Sequence, residues 1–309
     1  MNQSFDLALR QLASVMLTRY VEEHWATDET LSTSVVATNQ AKDMIRKILP
    51  NGLYDSNSKI RAAVAYNIST IAAIDWPHTW TDLFDIIVKC LGGNEDSIHG
   101  AMQVLIEFPY DSKSRIQMIG PIILQEIYRI FEAEQVYKVE TRTCAVTIFK
   151  SLLKAINAQM STKDKAKLLD PVLPVFISKL VDCLSSPSGQ HTTFELKTEI
   201  IKVLAYMVSD MPKLFYQYNA QILPPVWQLL TQTAEIYVKA VVNANDIDIQ
   251  DDDEMSNFST LIIQMSEFIH SIVERTKFKS IVQSVLVDLV YISVLFIEIT
   301  QEQISDWED

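Results

Sequence analysis

The chain has 309 residues, of which 48% are hydrophobic and only six are glycine, and it carries a formal net charge of −13. So few glycines exclude a glycine-rich phosphate-binding loop and disfavour folds that depend on tight β-turns. The net negative charge argues against direct binding of nucleic acid or of an anionic membrane and favours basic protein partners.

The first predicted helix covers about residues 5–25. Its apolar residues recur at helical spacing on one face, at Leu9, Leu12, Ala13, Met16 and Tyr20. No earlier helix is present to cover that face, so we interpret 1–25 as the inner helix of an incomplete first pair. The final residues also begin a helical pattern and stop at once. Because helical repeats need polar caps at both ends, we expect the chain to be a piece of a longer protein.

The segment 59–84 predicts two helices joined by a sharp corner. An amphipathic stripe from Ile60 to Ile71 is followed by Trp76 and Pro77, and a second stripe begins at Trp80. Proline disfavours the helical conformation in the residue before it and suits the first turn of a helix. We therefore expect Pro77 to end one helix and to begin the next.

A basic residue recurs in the first turn of successive predicted helices and is followed three positions later by a small or apolar residue. The basic residue is present at four of five positions and histidine at the fifth: Arg10, Arg61, Arg142, Lys197 and His99. In chain order the positions are separated by 51, 38, 43 and 55 residues. These intervals bracket the period of roughly 40 to 47 residues of HEAT and armadillo repeats. We call the helices that carry these residues inner helices.

Partner helices are predicted between the inner helices, at about residues 38–50, 77–91, 115–134, 165–185, 213–238 and 279–299. Prolines lie near several of their predicted starts: Pro77, Pro121, Pro171, Pro174, Pro212, Pro224 and Pro225. A single helix pair cannot bury both apolar faces, so each pair must cover its neighbour. The predicted fold is an all-α, superhelical α-solenoid of HEAT-type antiparallel helix pairs. It forms one domain over 1–309, with early repeats at 38–158 and later repeats at 159–309.

Two apolar features are assigned to the core. The run 281–299 is the most apolar of the chain, but polar residues interrupt it, so we expect a buried core helix and not a membrane span. The three cysteines lie in aliphatic helical stretches without metal-ligand spacing, at Cys90, Cys144 and Cys183. We expect them to be small buried side chains in a reducing compartment.

The residues give no sign of an active site. The five histidines are scattered, and neither an HExxH nor a GxSxG motif occurs. We therefore expect a non-enzyme with no cofactor and no metal site.

One strongly acidic segment, 243–255, interrupts the helical pattern. Six carboxylates lie within nine residues, at Asp246, Asp248, Asp251, Asp252, Asp253 and Glu254. Self-repulsion of this kind is typical of an extended, solvated loop. The segment either serves solubility alone or attracts a basic partner electrostatically, and the sequence leaves both readings open.

Several local sequences resemble the importin-beta family of nuclear transport receptors. The most distinctive is WPxxWxxLF at 76–84. The others are RQLASVMLTRYVEEHW at 10–25, ILPNGLYDSNSKIR at 48–61, HGAMQVLIEF at 99–108, TKFKS at 276–280 and EITQEQISDW at 298–307. The likeness extends along the whole chain. It would place the chain at repeats two to eight of such a receptor, with the first repeat and the outer helix of the second absent.

The resemblance implies nuclear import by a receptor that shuttles between cytoplasm and nucleus. It implies basic cargo such as core histones and ribosomal proteins, regulation by Ran-GTP, and contacts with the FG-repeat proteins of the nuclear pore. Two alternatives share the same repeats. A static HEAT scaffold should ignore the nucleotide state of Ran, and a histone chaperone should shield histones without passing through the pore.

The family places Ran against the inner helices of the early repeats. Polar stripes at helical spacing mark the candidate residues there: Gln11, Ser14, Thr18, Glu22, Asn67, Thr70, His99, Gln103 and Glu107. Each stripe is equally compatible with ordinary solvated surface. The acidic segment 243–255 is the candidate for basic cargo or for a basic patch on Ran. Because the first repeat is missing, we expect Ran to bind this chain more weakly than a full receptor.

Overall fold

The computed structural model describes residues 6–26, 36–239 and 252–297. These ranges contain thirteen α-helices, short 3-10 helices and no β-strand. The chain divides into two compact units, Met1–Ala133 with Thr147–Leu168, and Glu134–Val146 with Leu169–Asp309. The all-α prediction is confirmed for the described residues.

The first unit is built on a row of inner helices. Its elements are α1 (Leu7–His24), α2 (Asn39–Ile48), a 3-10 helix (Leu49–Tyr54), α3 (Ser58–Asp75), α4 (Leu83–Leu91), α5 (Glu95–Ile106), α6 (Lys113–Glu132), the C-terminal part of α7 (Val139–Gln159) and α8 (Thr162–Leu169). Helix α3 packs on α1 on one side and on α5 on the other. The inner helices predicted at Arg10, Arg61 and His99 are therefore neighbours in space.

The second unit repeats this arrangement. Besides the first residues of α7, its helices are α9 (Leu173–Ser185), α10 (Phe194–Asp210), α11 (Pro212–Tyr237), α12 (Asp252–Val273) and α13 (Lys279–Phe296). Helix α10 packs on α12, and α11 packs on α9 and α13. Like helices thus stack side by side in two rows, which is the HEAT-type solenoid class that the repeat predicts.

In the first unit, the repeated basic residues are buried cations that tie each inner helix to a neighbouring loop or helix. Arg10 and Arg61 are 9% and 6% exposed. Arg10 pairs with the carboxylate of Asp55, which follows the 3-10 helix. Arg61 donates from Nη1 to the backbone oxygen of Asp55 at 2.6 Å and to Oδ1 of Asp96, in α5, at 2.7 Å. One loop residue therefore joins α1 to α3, and Arg61 extends the connection to α5.

The second unit uses its basic residues in the same way. Arg142 and Lys197 are 0% and 2% exposed. Arg142 donates from Nη1 to the backbone oxygen of His191 at 2.6 Å and lies 3.8 Å from a carboxylate oxygen of Glu134. Lys197 donates from Nζ to the backbone oxygen of Ser186 at 2.7 Å. The spacing found in the sequence thus reflects buried charges that must be hydrogen-bonded.

The corner after α3 is longer than the sequence predicts. Helix α3 ends at Asp75 and the Trp76–Pro77 bond is cis. The backbone N–H groups of Thr79 and Trp80 both donate to the backbone oxygen of Asp75, at 2.7 and 3.1 Å, and this turn delays α4 until Leu83. Pro77 therefore follows the end of one helix, as predicted, but the prediction that it begins the next helix is wrong.

The side chain of Asp75 holds this corner to the helices before it. It is buried, and its Oδ2 accepts from the indole N–H of Trp25 at 3.0 Å and from Nη1 of Arg46 at 2.6 Å. Trp76 and Trp80 are also buried. The Trp-Pro corner is thus a packing centre of the first unit.

Other boundaries differ from the predictions at prolines. The helix predicted at 165–185 is interrupted after Leu169 and resumes at Leu173, with Pro171 in the break. Pro174 and Pro212 lie at helix starts as predicted, whereas Pro121, Pro224 and Pro225 lie inside α6 and α11. Helix α12 packs like an inner helix but was not predicted as one, because its first turn holds acidic residues instead of a cation.

The prediction that the run 281–299 forms a buried core helix is wrong for the residues described. Only Leu289 and Ile292 are buried in α13, while Val287 is 81% and Tyr291 65% exposed. The segment Thr276–Phe296 has a mean hydropathy of 1.6 with 17% of its most apolar window buried, and by length and composition it could cross a membrane. A helix that is apolar on all its faces is expected to be buried. Among the described helices, α11 and α12 pack against α13, and they cover only one of its sides.

The prediction that the cysteines are buried is confirmed for two of the three. Cys90 and Cys183 are buried and Cys144 is half-buried, and all three are free thiols. Burial raises the pKa of each thiol, to about 11 for Cys144, so at neutral pH the protonated form dominates and the thiolate nucleophile is scarce.

Replacing Asp55 by alanine should strongly destabilise the first unit. The substitution leaves the buried guanidinium of Arg10 without its carboxylate and removes the hydrogen bond from the Asn57 N–H at 2.9 Å. Breaking a buried pair by removing one partner costs about 3 to 5 kcal/mol. The loss should appear as a lower midpoint of urea unfolding followed by tryptophan fluorescence.

The matched control is Asp43→Ala. Asp43 pairs with Arg46 but its side chain is 72% exposed, and an exposed pair contributes about 1 kcal/mol or less. Equal shifts for the two variants would contradict the role given to the buried pair.

Replacing Gly100 by alanine should also destabilise the first unit, although alanine favours helices by up to about 1 kcal/mol over glycine. A Cβ at Gly100 would lie 2.7 Å from the backbone oxygen and 3.0 Å from the Cβ of Leu53, a fully buried residue. Overpacking against backbone of this kind costs about 1 to 3 kcal/mol. Gly189→Ala, whose Cβ meets nothing within 4 Å, should leave the unfolding midpoint nearly unchanged. Wild-type stability of Gly100→Ala would overturn this account of the α5 contact.

Candidate partner-binding surfaces

The polar stripes predicted on α1 and α3 meet at the junction of these helices. The side-chain amide of Asn67 donates to the hydroxyl of Thr18 at 2.8 Å, and the phenol of Tyr66 donates to a carboxylate oxygen of Glu22 at 2.8 Å. Residues separated by 44 to 49 positions in the sequence are therefore brought into contact. We call this line of contacts the polar seam of α1 and α3.

Part of the seam is interior and holds the two helices together. Asn67 is 1% exposed, and its amide also donates to the backbone oxygen of Ala63 at 2.7 Å. Its Oδ1 is buried without a hydrogen-bond partner among the described residues. Ser14 is buried and donates to the backbone oxygen of Gln11 at 2.7 Å. In this conformation Ser14 and Asn67 lie inside the seam, where a partner protein does not reach them.

The predicted residues of α5 and the end of α3 lie closer to solvent. The nitrogens Nε2 of His99 and of Gln103 are 3.0 Å apart, and both residues are half-buried. The hydroxyl of Thr70 donates to the backbone oxygen of Tyr66 at 2.9 Å. Glu107, just beyond the end of α5, is exposed.

Two exposed residues of the seam, Glu22 and Tyr66, form an acidic edge together with Glu107 at the end of α5. The hydrogen bond to Glu22, followed by the negative charge of Glu22 and more weakly that of Glu107, raises the pKa of Tyr66. The phenol of Tyr66 donates its one proton to Glu22, so the edge presents two negative charges and the phenol oxygen as an acceptor. Such an edge suits a cationic surface of a partner.

The sequence predicted two members of this edge but missed Tyr66. Tyr66 is 44% exposed and lies one position before Asn67 and one helical turn before Thr70, both of which belonged to the predicted stripe. The position of Tyr66 next to the polar stripe could have identified it as a surface residue. Its aromatic ring instead suggests a place in the apolar core.

The acidic segment is described only from Asp252 onward. Asp246, Asp248 and Asp251 lie outside the described residues, and α12 begins at Asp252. The prediction that the loop extends to residue 255 is therefore wrong at its end. Asp253 and Glu254 are exposed in the first turn of α12, where negative charge is stabilised by the helix dipole.

An apolar cavity lies between α11, α12 and α13 of the second unit. Its volume is about 260 Å³, and its walls include Trp227, Leu230, Phe268, Ile269, Ile281 and Val285. Aliphatic and aromatic walls of this kind bind apolar side chains. Within the described ranges, no three or more His, Cys, Asp or Glu side chains are grouped to hold a metal ion.

The chain is similar to several importins along much of its length. It is 50% identical to importin-9 of Drosophila melanogaster over the whole chain. It is 26% identical to importin subunit beta-5 of Schizosaccharomyces pombe over 79% of the chain, and 31% identical to importin subunit beta-5 of Saccharomyces cerevisiae over 52%. No protein-family model matches.

The chain spans less than a third of the length of these relatives, 31% of importin-9 and 26% and 16% of the two beta-5 subunits. The helical pairs, the Trp-Pro corner and the likeness to three importins agree with one another. Half of all residues match importin-9 from one end of the chain to the other, so the whole of this chain is similar to a part of an importin.

Proposed function

We propose that this chain forms part of a nuclear import receptor that binds basic cargo such as core histones and ribosomal proteins under the control of Ran-GTP. The observation that carries the proposal is the 50% identity to importin-9 over the whole chain. On this proposal the protein shuttles between the cytoplasm and the nucleus. It acts by binding, without catalysis and without a cofactor.

Electrostatics support basic cargo. The chain has 39 acidic and 26 basic residues, and the six carboxylates at 246–254 are the densest negative charge in the sequence. Clustered charge raises the rate at which an oppositely charged partner associates more than it raises the final affinity. Histones and ribosomal proteins are such partners.

The acidic edge on α1, α3 and α5 is the surface we assign to Ran. Glu22 and Glu107 are exposed, and Tyr66 links Glu22 to α3 by a 2.8 Å hydrogen bond. Of the predicted Ran residues, Ser14 and Asn67 then act indirectly by fixing α1 against α3. Gln11, Thr18, Thr70, His99 and Gln103 flank the contact.

The apolar cavity between α11 and α13 is the surface we assign to the FG-repeat proteins of the nuclear pore. It lies between partner helices of neighbouring pairs and its walls are almost wholly apolar. A phenylalanine side chain gains free energy mainly from burial in such a site. The acidic edge is in the first unit and this cavity in the second, so the two partners need not compete for one site.

Neutralising the acidic segment should slow cargo association. We consider a variant in which all six carboxylates become amides: Asp246, Asp248, Asp251, Asp252 and Asp253 change to Asn, and Glu254 changes to Gln. At low salt it should associate with core histones about 5- to 10-fold more slowly than the wild type. The difference should shrink at physiological salt, where charges are screened within about 8 Å. Stopped-flow fluorescence with labelled histone measures both rates.

The control for this variant removes six exposed carboxylates that are dispersed over the surface: Asp85, Glu132, Asp170, Asp182, Glu267 and Asp288. It changes the net charge equally but leaves the cluster intact, so its rate should fall less. If both variants associate at the wild-type rate at both salt concentrations, the segment serves solubility alone.

The acidic edge predicts how Ran should act on the cargo complex. We expect Ran-GTP, but not Ran-GDP, to change the rate at which histone dissociates from the chain. Glu22→Gln combined with Glu107→Gln should weaken Ran-GTP binding by about 3- to 10-fold, as expected for charges at the rim of an interface. Surface plasmon resonance with immobilised chain gives both quantities.

The matched control is Glu132→Gln with Asp182→Asn, which removes the same charge from exposed positions outside the edge. It should bind Ran-GTP like the wild type. A histone complex that is insensitive to the nucleotide state of Ran would instead favour a static HEAT scaffold or a histone chaperone.

A further inference from the structure

Lys197 differs from the other buried cations of the inner helices in what surrounds it. Arg10 pairs with the carboxylate of Asp55 and Arg61 with that of Asp96. Arg142 lies within 3.8 Å of Glu134. Among the described residues Lys197 has no carboxylate partner, and its ammonium donates to the backbone oxygen of Ser186.

Lys197 also lines a cavity, which lies at the first turn of α10. The cavity has a volume of about 480 Å³ and lies between α10, the C-terminal half of α11 and the start of α12. Leu229 and Ile236 form apolar walls, and the side chains of Ser188 and Gln232 add exposed polar groups. A buried cation whose side chain lines such a space would gain from an anionic partner, because a buried charge is costly unless it is paired.

The mouth of the cavity carries negative charge, opposite to the positive charge of Lys197. Glu235 and Glu254 line it, both are exposed, and neither forms an ion pair with Lys197. A multiply charged anion such as a phosphate would gain from Lys197 but would be repelled by both carboxylates. A single carboxylate with a positive charge on either side satisfies all three groups.

We propose that this cavity binds a peptide segment in which an aspartate or glutamate is flanked by basic residues. The peptide carboxylate pairs with the ammonium of Lys197, within reach of the donors of Gln232 and Ser188. The flanking cations pair with Glu235 and Glu254 at the mouth. The site does not depend on nuclear transport, since a scaffold with the same cavity would bind the same peptide.

The pKa of Lys197 agrees with the lack of a carboxylate partner among the described residues. Burial lowers its pKa to about 8, because the ammonium is desolvated without a nearby negative charge. A carboxylate placed beside it would favour the charged form and raise the pKa again. The pKa of Lys197 therefore reports directly on occupancy.

The test uses the 309-residue chain and four fluorescent peptides that share one scaffold, with the central triplets Lys-Glu-Lys, Lys-Gln-Lys, Gln-Glu-Gln and Glu-Glu-Glu. Fluorescence polarisation should show Lys-Glu-Lys binding at least about ten-fold more tightly than the other three, a difference within the range of one charge-assisted contact. In chain labelled with ¹³C in its lysine side chains, this peptide should raise the pKa of Lys197 measured by NMR.

Two kinds of variant locate the binding. Lys197→Met should abolish the preference for Glu over Gln. Because removing a buried group can unfold the unit, Glu254→Gln and Gln232→Ala, both at exposed positions, serve as milder tests. The first should weaken Lys-Glu-Lys but not Gln-Glu-Gln, and the second should weaken both.

Two results would overturn the proposal. The first is equal affinity for Lys-Glu-Lys and Lys-Gln-Lys with an unmoved titration of Lys197. The second is wild-type affinity of both the Glu254→Gln and the Gln232→Ala variants for Lys-Glu-Lys, which would mean that the peptide binds elsewhere on the chain. Neither result bears on Ran or on histone binding, so failure here is separable from failure of the import proposal.

Discussion

A buried cation in the first turn of four inner helices, α1, α3, α7 and α10, is the constraint on which the described helices depend. A charge removed from water must be hydrogen-bonded where it lies, so each such residue fixes the position of a loop or helix that supplies its acceptor. Arg61 shows this most fully, because one guanidinium nitrogen reaches both the Asp55 backbone and the Asp96 carboxylate. Apolar packing alone would allow neighbouring helices to slide, whereas these polar contacts define one register.

The same polar contacts decide which side chains remain for partners. The seam of α1 and α3 uses Ser14, Thr18 and Asn67 to hold two helices together and leaves Glu22 and Tyr66 at the solvent edge. A stripe of polar residues on an inner helix is therefore divided by the packing into an interior part that sets geometry and an outer part that can bind. Spacing in the sequence predicts the stripe but does not separate its two parts.

Local sequence patterns predict where several helices lie. They do not predict which surfaces of those helices are covered by other parts of the chain. The period of apolar residues predicts α1, α3 and α11 closely, because it is a property of each segment by itself. Two features depend on groups that are distant in sequence: the exposure of α13 and the contact between Glu22 and Tyr66. The start of α4 at Leu83 depends on the turn in which the Asp75 backbone oxygen accepts two hydrogen bonds. Helix α12 was missed because its first turn holds Asp253 and Glu254, so the basic signal of the other inner helices is absent there.

The buried cations also bear on the charge that partners meet. Arg142 and Lys197 are hydrogen-bonded to backbone oxygens of His191 and Ser186. These two positive charges therefore lie beneath the outer surface, while carboxylates such as Glu22, Glu107 and Glu254 remain in solvent. Placing cations inside and leaving anions outside makes the accessible surface more acidic than an even distribution of the same residues would. The groups that hold the helix pairs together thus also help to give the chain the surface charge that a basic partner recognises.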